Sequence, residues 1–169
     1  DDDAAKYAET IKIFQDAGAS GTFFNNSYGY AVFPTIGKAG FVVGGAYGKG
    51  RVYAGGKHTG DTAMTQLSVG AQAGAQGYSQ IIFFEDQRAY DEFTSGNFEF
   101  SADASAVAIT AGASAQAGST GSSAGASGGK KDATTRGSYR KGMATFTVAK
   151  GGLMFEAALA GQKFSYTPL

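Results

Sequence analysis

Hydrophobic positions change their spacing along this chain, and the changes mark its elements. Ala4, Tyr7, Ala8, Ile11 and Phe14 recur at helical spacing, which predicts a helix with one apolar face. Asp3 is placed to cap it, and Gly18 and Gly21 punctuate its end. A short second helix is expected over residues 22–27. From Tyr28 the period shortens. Residues 30–33 read as a strand that stops at Pro34, and 41–43 and 52–53 read as further strands. The glycine-rich run from Gly44 to Gly50 between them suits a hairpin turn. Residues 67–76 give the clearest strict alternation: Leu67, Val69, Ala71, Ala73 and Ala75 on one side, small or polar residues on the other. Residues 79–84 form a continuous apolar strand. Residues 85–94 return to helical spacing, with Ala89 and Phe93 on one face and Gly96 as the stop. Residues 98–109 alternate again. Residues 143–149 and 153–166 read as a hairpin turned at Gly151-Gly152.

These elements predict an α+β fold in one domain spanning 1–169. Residues 1–27 form its helical start and 28–169 are mainly β. The sheet is expected to be twisted, largely antiparallel, Gly/Ala-rich and barrel-like, with one inserted helix near 85–95. Glycine numbers 27 of 169 residues, well above the usual share of about 7%. A sheet face without bulky side chains lets another backbone layer come close or lets the sheet coil. The core must then come from the 13 Phe, the 9 Tyr and the Ile and Val residues.

Composition narrows the function. Charged residues make up 17% and the formal net charge is zero, with 14 basic and 14 acidic side chains. A nucleic-acid binder normally carries a strong basic excess, so the composition argues against a general one, and no nucleic-acid partner is expected. There is no cysteine, hence no disulfide and no thiolate metal site. No apolar run reaches the roughly 18 residues that a membrane-crossing helix needs. The chain opens at Asp1-Asp2-Asp3 rather than Met, which fits either an upstream leader or lipid anchor, since removed, or a chain trimmed at that point.

Catalytic signatures fail on inspection. His58 is the single histidine. It stands in a glycine-rich stretch that reads as an exposed turn, and one His without Cys cannot make an ordinary zinc site. Two G-x-S-x-G matches, around Ser123 and Ser127, lie in a Gly/Ser/Ala tract without the strand and helix that a nucleophile elbow requires. Each Gly-Lys pair fails the phosphate-loop spacing. Glu85-Asp86 and Asp91-Glu92 suit a solvated helix face. No catalytic residue, metal ligand or cofactor is expected.

Basic and aromatic surface remains. Lys49, Arg51 and Tyr53 fall on one face of a strand, with Lys38 and Lys57 expected nearby. Lys130, Lys131, Arg136, Arg140 and Lys141 form a second basic stretch. Such groups either meet phosphate headgroups or are ordinary solvated charges. The Tyr7, Ile11 and Phe14 stripe either dips into a bilayer interface or packs on the domain's own sheet.

Several ordered motifs carry a family resemblance. Phe33-Pro-Thr-Ile-Gly-Lys-Ala-Gly-Phe-Val-Val-Gly-Gly45 followed by Gly48-Lys-Gly50, then Leu67-Ser-Val-Gly-Ala-Gln-Ala-Gly-Ala-Gln76, then Ser79-Gln-Ile-Ile-Phe-Phe-Glu-Asp86, resemble the SYLF domain. Phe93-Thr-Ser-Gly-Asn-Phe-Glu-Phe100 and the small-residue tract after it are similar to its bacterial branch. The resemblance runs from about Phe23 to Tyr166. It implies a non-enzymatic lipid-binding module. Eukaryotic relatives bind phosphoinositides and fungal ones also bind actin filaments. Bacterial relatives are often exported, some as lipoproteins. For this chain it implies an anionic phospholipid or membrane surface as partner, at a periplasmic or outer-membrane location. Actin binding is not expected. An envelope protein is the alternative partner, in a structural or interaction role.

Overall fold

The computed structural model describes residues 2–38, 45–67, 77–109, 139–149 and 159–169. The expected strand at 41–43, all of the expected strand at 67–76 but Leu67, the tract at 112–129, and Lys130, Lys131 and Arg136 lie outside them. The fold is α+β, with helices at the start, a mostly antiparallel sheet and one inserted helix.

Helix α1 (Asp2–Asp16) begins at Asp2, so Asp3 sits in its first turn rather than at the cap. A carboxylate there still favours the positive end of the helix dipole. Tyr7, Thr10 and Phe14 are its buried line, which Ala17 continues just beyond its end. The chain continues through two single turns, α2 (Gly18–Gly21) and α3 (Phe23–Asn26). The Ser20 hydroxyl donates to the Phe14 carbonyl at 2.7 Å, serving an acceptor that the helix end leaves open.

Seven strands follow: β1 (Gly29–Lys38), β2 (Ala46–Ala54), β3 (Lys57–Gln66), β4 (Tyr78–Phe84), β5 (Val107–Ile109), β6 (Met143–Ala149) and β7 (Lys163–Pro168), with α4 (Gln87–Phe93) after β4. They lie side by side in the order β5-β6-β4-β1-β2-β3-β7. Among the described residues only the β5–β6 pair is parallel. Among the described residues the sheet does not close, so the expected barrel is an open sheet with edges at β5 and β7.

Several boundaries differ from the sequence reading. β1 does not stop at Pro34. Its register against β4 shifts between Phe33 and Ile36, and this irregularity absorbs a residue that cannot donate to a ladder. The freed Pro34 carbonyl accepts from the Ser79 hydroxyl at 2.7 Å. Gly48 and Gly50 are not in a turn but inside β2. The β2–β3 turn is instead at Gly55-Gly56, both with positive φ, 61° and 81°, as the favoured two-residue hairpins require. β3 itself replaces an expected turn. Of residues 98–109, only 107–109 form a named strand; Glu99 makes an isolated bridge to Lys163, and Ala102 and Ala108 are exposed. Of the expected hairpin, Gly151-Gly152 and 153–158 lie outside the described residues; 143–149 form β6, which pairs with β4 and β5, and 163–166 belong to β7, which pairs with β3 at the other edge.

Both faces of the sheet are covered. Helices α1–α3 seal one with Phe14, Phe23, Val32, Ile81, Phe83 and Phe146. The other carries Phe33, Ile82, Phe84, Ala89, Phe93 and Phe164 beneath α4. β4 contributes to both layers and is buried at every position, which explains its apolar run from Ile81 to Phe84; its polar Ser79 and Gln80 are buried with hydrogen-bond partners. Asp86 accepts from the Ala89 amide at 3.0 Å and caps α4.

Candidate functional site

Strand alternation builds the site. On β2, Gly48, Gly50 and Val52 are buried. The intervening Tyr47, Lys49, Arg51 and Tyr53 turn to the face shared with α1. Register extends the pattern across the sheet. Lys49 stands opposite Ala63, Arg51 opposite Asp61 and Tyr53 opposite His58 on β3. Ala63 and Asp61 in turn stand opposite Ser165 and Thr167 on β7. The start of α1 lies over this area, and together they enclose a groove of about 350 Å³. Asp3 and Tyr7 line it from the helix, Tyr47, Lys49 and Arg51 from β2, Asp61 from β3, and Ser165 and Thr167 from β7.

The groove holds charges of both signs. The Arg51 guanidinium carbon lies 4.5 Å from the centroid of the Tyr7 ring, close enough for a cation–π contact. Lys49 is exposed. Neither Lys49 nor Arg51 has an ion pair among the described residues. Asp61 faces His58, Oδ1 to Nε2 at 2.9 Å, and the His58 ring packs against Tyr53 with centroids 5.5 Å apart. His58 is therefore a half-buried strand residue, not the exposed turn residue expected. Burial pushes the Tyr7 phenol up to about 12, with the Arg51 charge pulling the other way. The hydroxyl stays neutral at ordinary pH and offers a hydrogen bond rather than a charge.

The other expected site residues are placed elsewhere. Lys57 is exposed but pairs with Ala54. It lies about 17 Å along the strand from Lys49 at about 3.3 Å per residue, and alternation from His58 puts it on the opposite face. The register irregularity between Val52 and Tyr53 sets that face. Lys38 ends β1, its backbone opposite Ala46. The helical stripe expected at a bilayer is instead part of the core. Phe14 is fully buried and Tyr7 is 9% exposed, and Ile11 packs beside them. Of the second basic stretch, Arg140 pairs with Asp103 at 3.4 Å. Glu92 pairs with Arg88 at 3.6 Å. The groove residues missed in the sequence are Asp3, Tyr47, Asp61, Ser165 and Thr167. Tyr47 shares the period-two face of Lys49 and Arg51, whereas the signal for Asp61, its alternation with Ala63 and Thr65, depends on recognising β3.

Residues 65–167 match the family Ysc84, described as "Las17-binding protein actin regulator". The chain is 28% identical over 158 residues to "Beta cell expansion factor A" of Aeromonas veronii, a match covering 91% of this chain and 51% of that protein. The chain thus spans about half the length of this curated relative.

Proposed function

The chain belongs to the Ysc84 family of SYLF-domain proteins, and from that premise we propose that it is a non-enzymatic module binding phospholipid headgroups at a membrane surface of the bacterial cell envelope. The observation that carries this reading is the adjacent pair Lys49 and Arg51, two cations on one groove without a carboxylate partner of their own among the described residues. A headgroup phosphate placed between them gains charge-assisted hydrogen bonds. Near an anionic surface each basic side chain contributes on the order of 1 kcal/mol. The neutral Tyr7 phenol adds a donor. The family is generally non-enzymatic, in keeping with a binding role. The bacterial source of the relative supports the bacterial setting.

Co-sedimentation with vesicles tests this reading. Wild type should pellet with vesicles containing phosphatidylglycerol or phosphatidylethanolamine, and the Lys49→Glu/Arg51→Glu double variant should stay in solution. Binding to no vesicle, or equal binding by a folded double variant, would overturn it.

The family's own description names a protein partner, which favours a second reading, a protein-interaction module of the envelope without lipid recognition. Stable recovery of one envelope protein with the lipid-free domain, and no vesicle binding, would establish that alternative.

A further inference from the structure

Arg51 and Asp61 stand directly opposite each other on β2 and β3, yet they do not pair. Cross-strand neighbours have Cβ atoms only about 4.5–5.5 Å apart, close enough for their side chains to meet. Instead Arg51 lies over the Tyr7 ring and Asp61 turns to His58. Each charge is held by an aromatic neighbour, and neither neutralises the other. Both line the same groove, with Lys49 beside Arg51 and Asp3 on the helix side. The formal charges of the lining therefore sum to zero, arranged as a positive and a negative pole.

A purely anionic ligand would gain from Lys49 and Arg51 but would meet Asp61 and Asp3. A ligand with a phosphate and a nearby ammonium satisfies both poles at once. The carboxylate pole also distinguishes among ammonium groups. A primary ammonium donates hydrogen bonds to Asp61, whereas a quaternary one has no N–H to donate.

We propose that the groove binds a phosphate joined through a short linker to a primary ammonium, the chemistry of a phosphoethanolamine headgroup, with the phosphate on Lys49 and Arg51 and the ammonium on Asp61. This rests on the headgroup reading above for its membrane source, but the same chemistry exists in free phosphoethanolamine.

Vesicles of phosphatidylcholine alone, and of phosphatidylcholine with either phosphatidylethanolamine or phosphatidylglycerol, separate the possibilities. Wild type should prefer the ethanolamine lipid by about fivefold over the other two, the scale of one exposed charge pair. Asp61→Asn should abolish that preference and keep binding to phosphatidylglycerol. His58→Ala, which also removes the His58–Asp61 contact, should retain the preference. Equal binding to ethanolamine and glycerol lipids, or an unchanged preference in Asp61→Asn, overturns the inference and leaves the phosphate reading intact. Titration with free phosphoethanolamine, followed by amide shifts at residues 49, 51 and 61, supplies the other arm. Shifts there without any vesicle binding would support the groove chemistry while overturning the membrane reading. Neither shifts nor vesicle binding would overturn both.

Discussion

The side-chain amides of Gln80 and Gln162 bond to each other in both directions, at 3.0 Å and 3.2 Å. Gln162 Nε2 also approaches the Tyr78 hydroxyl at 3.2 Å. Both glutamines are fully buried, so each depends on the other to satisfy its amide. Gln162→Leu should cost about 1–3 kcal/mol, the penalty of an orphaned buried polar group. Gln80→Leu/Gln162→Leu should cost less than the sum of the two single variants. Urea unfolding of all three checks this, and strict additivity would refute the coupling.

Gly50 has no room for a side chain. A Cβ there would lie 2.6 Å from Phe33 Cδ2 and 2.7 Å from the Val32 carbonyl oxygen. Because the second neighbour is backbone of β1, the strand would have to move. Gly50→Ala should destabilise by about 1–3 kcal/mol. Gly37→Ala, where nothing lies within 4 Å, should stay within about 0.5 kcal/mol of wild type. Thermal midpoints of the pair check the contrast.

Thr147 presents the reverse case. Its hydroxyl is buried and has no hydrogen-bond partner among the described residues. Thr147→Val keeps the shape and removes the unpaired group, so it should stabilise by about 1 kcal/mol. A lower unfolding midpoint in the variant would show that the hydroxyl is served in solution.

Alkaline pH should weaken the fold through its tyrosines. Burial pushes Tyr7, Tyr78 and Tyr139 from the ordinary 10.0 up to about 12. Their folded values exceed the unfolded one, so above pH 10 the native state holds protons that the unfolded chain has released. Stability from these groups is complete below about pH 10 and falls as pH rises toward 12. Burial also raises Tyr30 and Tyr166, so phenolate absorbance should show at least three late-titrating tyrosines, and the thermal midpoint should drop over the same interval. Tyr78→Phe should make that alkaline drop shallower.

The elements legible in the sequence were those whose period follows from burial on one or both faces. α1 and α4 show apolar stripes, and β4 is apolar from Ile81 to Phe84 because both its faces are covered. β3 escaped because its inward positions are Gly60, Thr62, Met64 and Gln66, mostly small or polar. Thr62 is nonetheless buried and donates to the Ser165 carbonyl at 2.6 Å. Lys49 and Arg51 were readable as neighbours from period two alone. Asp61 was not, because its place beside Arg51 depends on β3 pairing. Lys57 was misplaced because a register irregularity at Val52/Tyr53 decides its face, and local sequence carries no clear mark of it. Tyr7 looked equally suited to a bilayer and to a core until the tertiary fold placed it over Arg51.

The partnership of β3 with β7 has a consequence for how the protein is made. The contact from Thr62 to Ser165 spans 103 residues. While a ribosome works through the intervening sequence, β1, β2 and β3 can already form a meander, but the far edge of β3 has no neighbour. Such an edge is a template for pairing with other chains, and loop closure of this length is slow. The nascent polypeptide therefore spends a long interval incomplete, open to chaperones, to proteases and to any translocation machinery that takes unfolded cargo. Folding is finalised only once residues 163–168 have emerged.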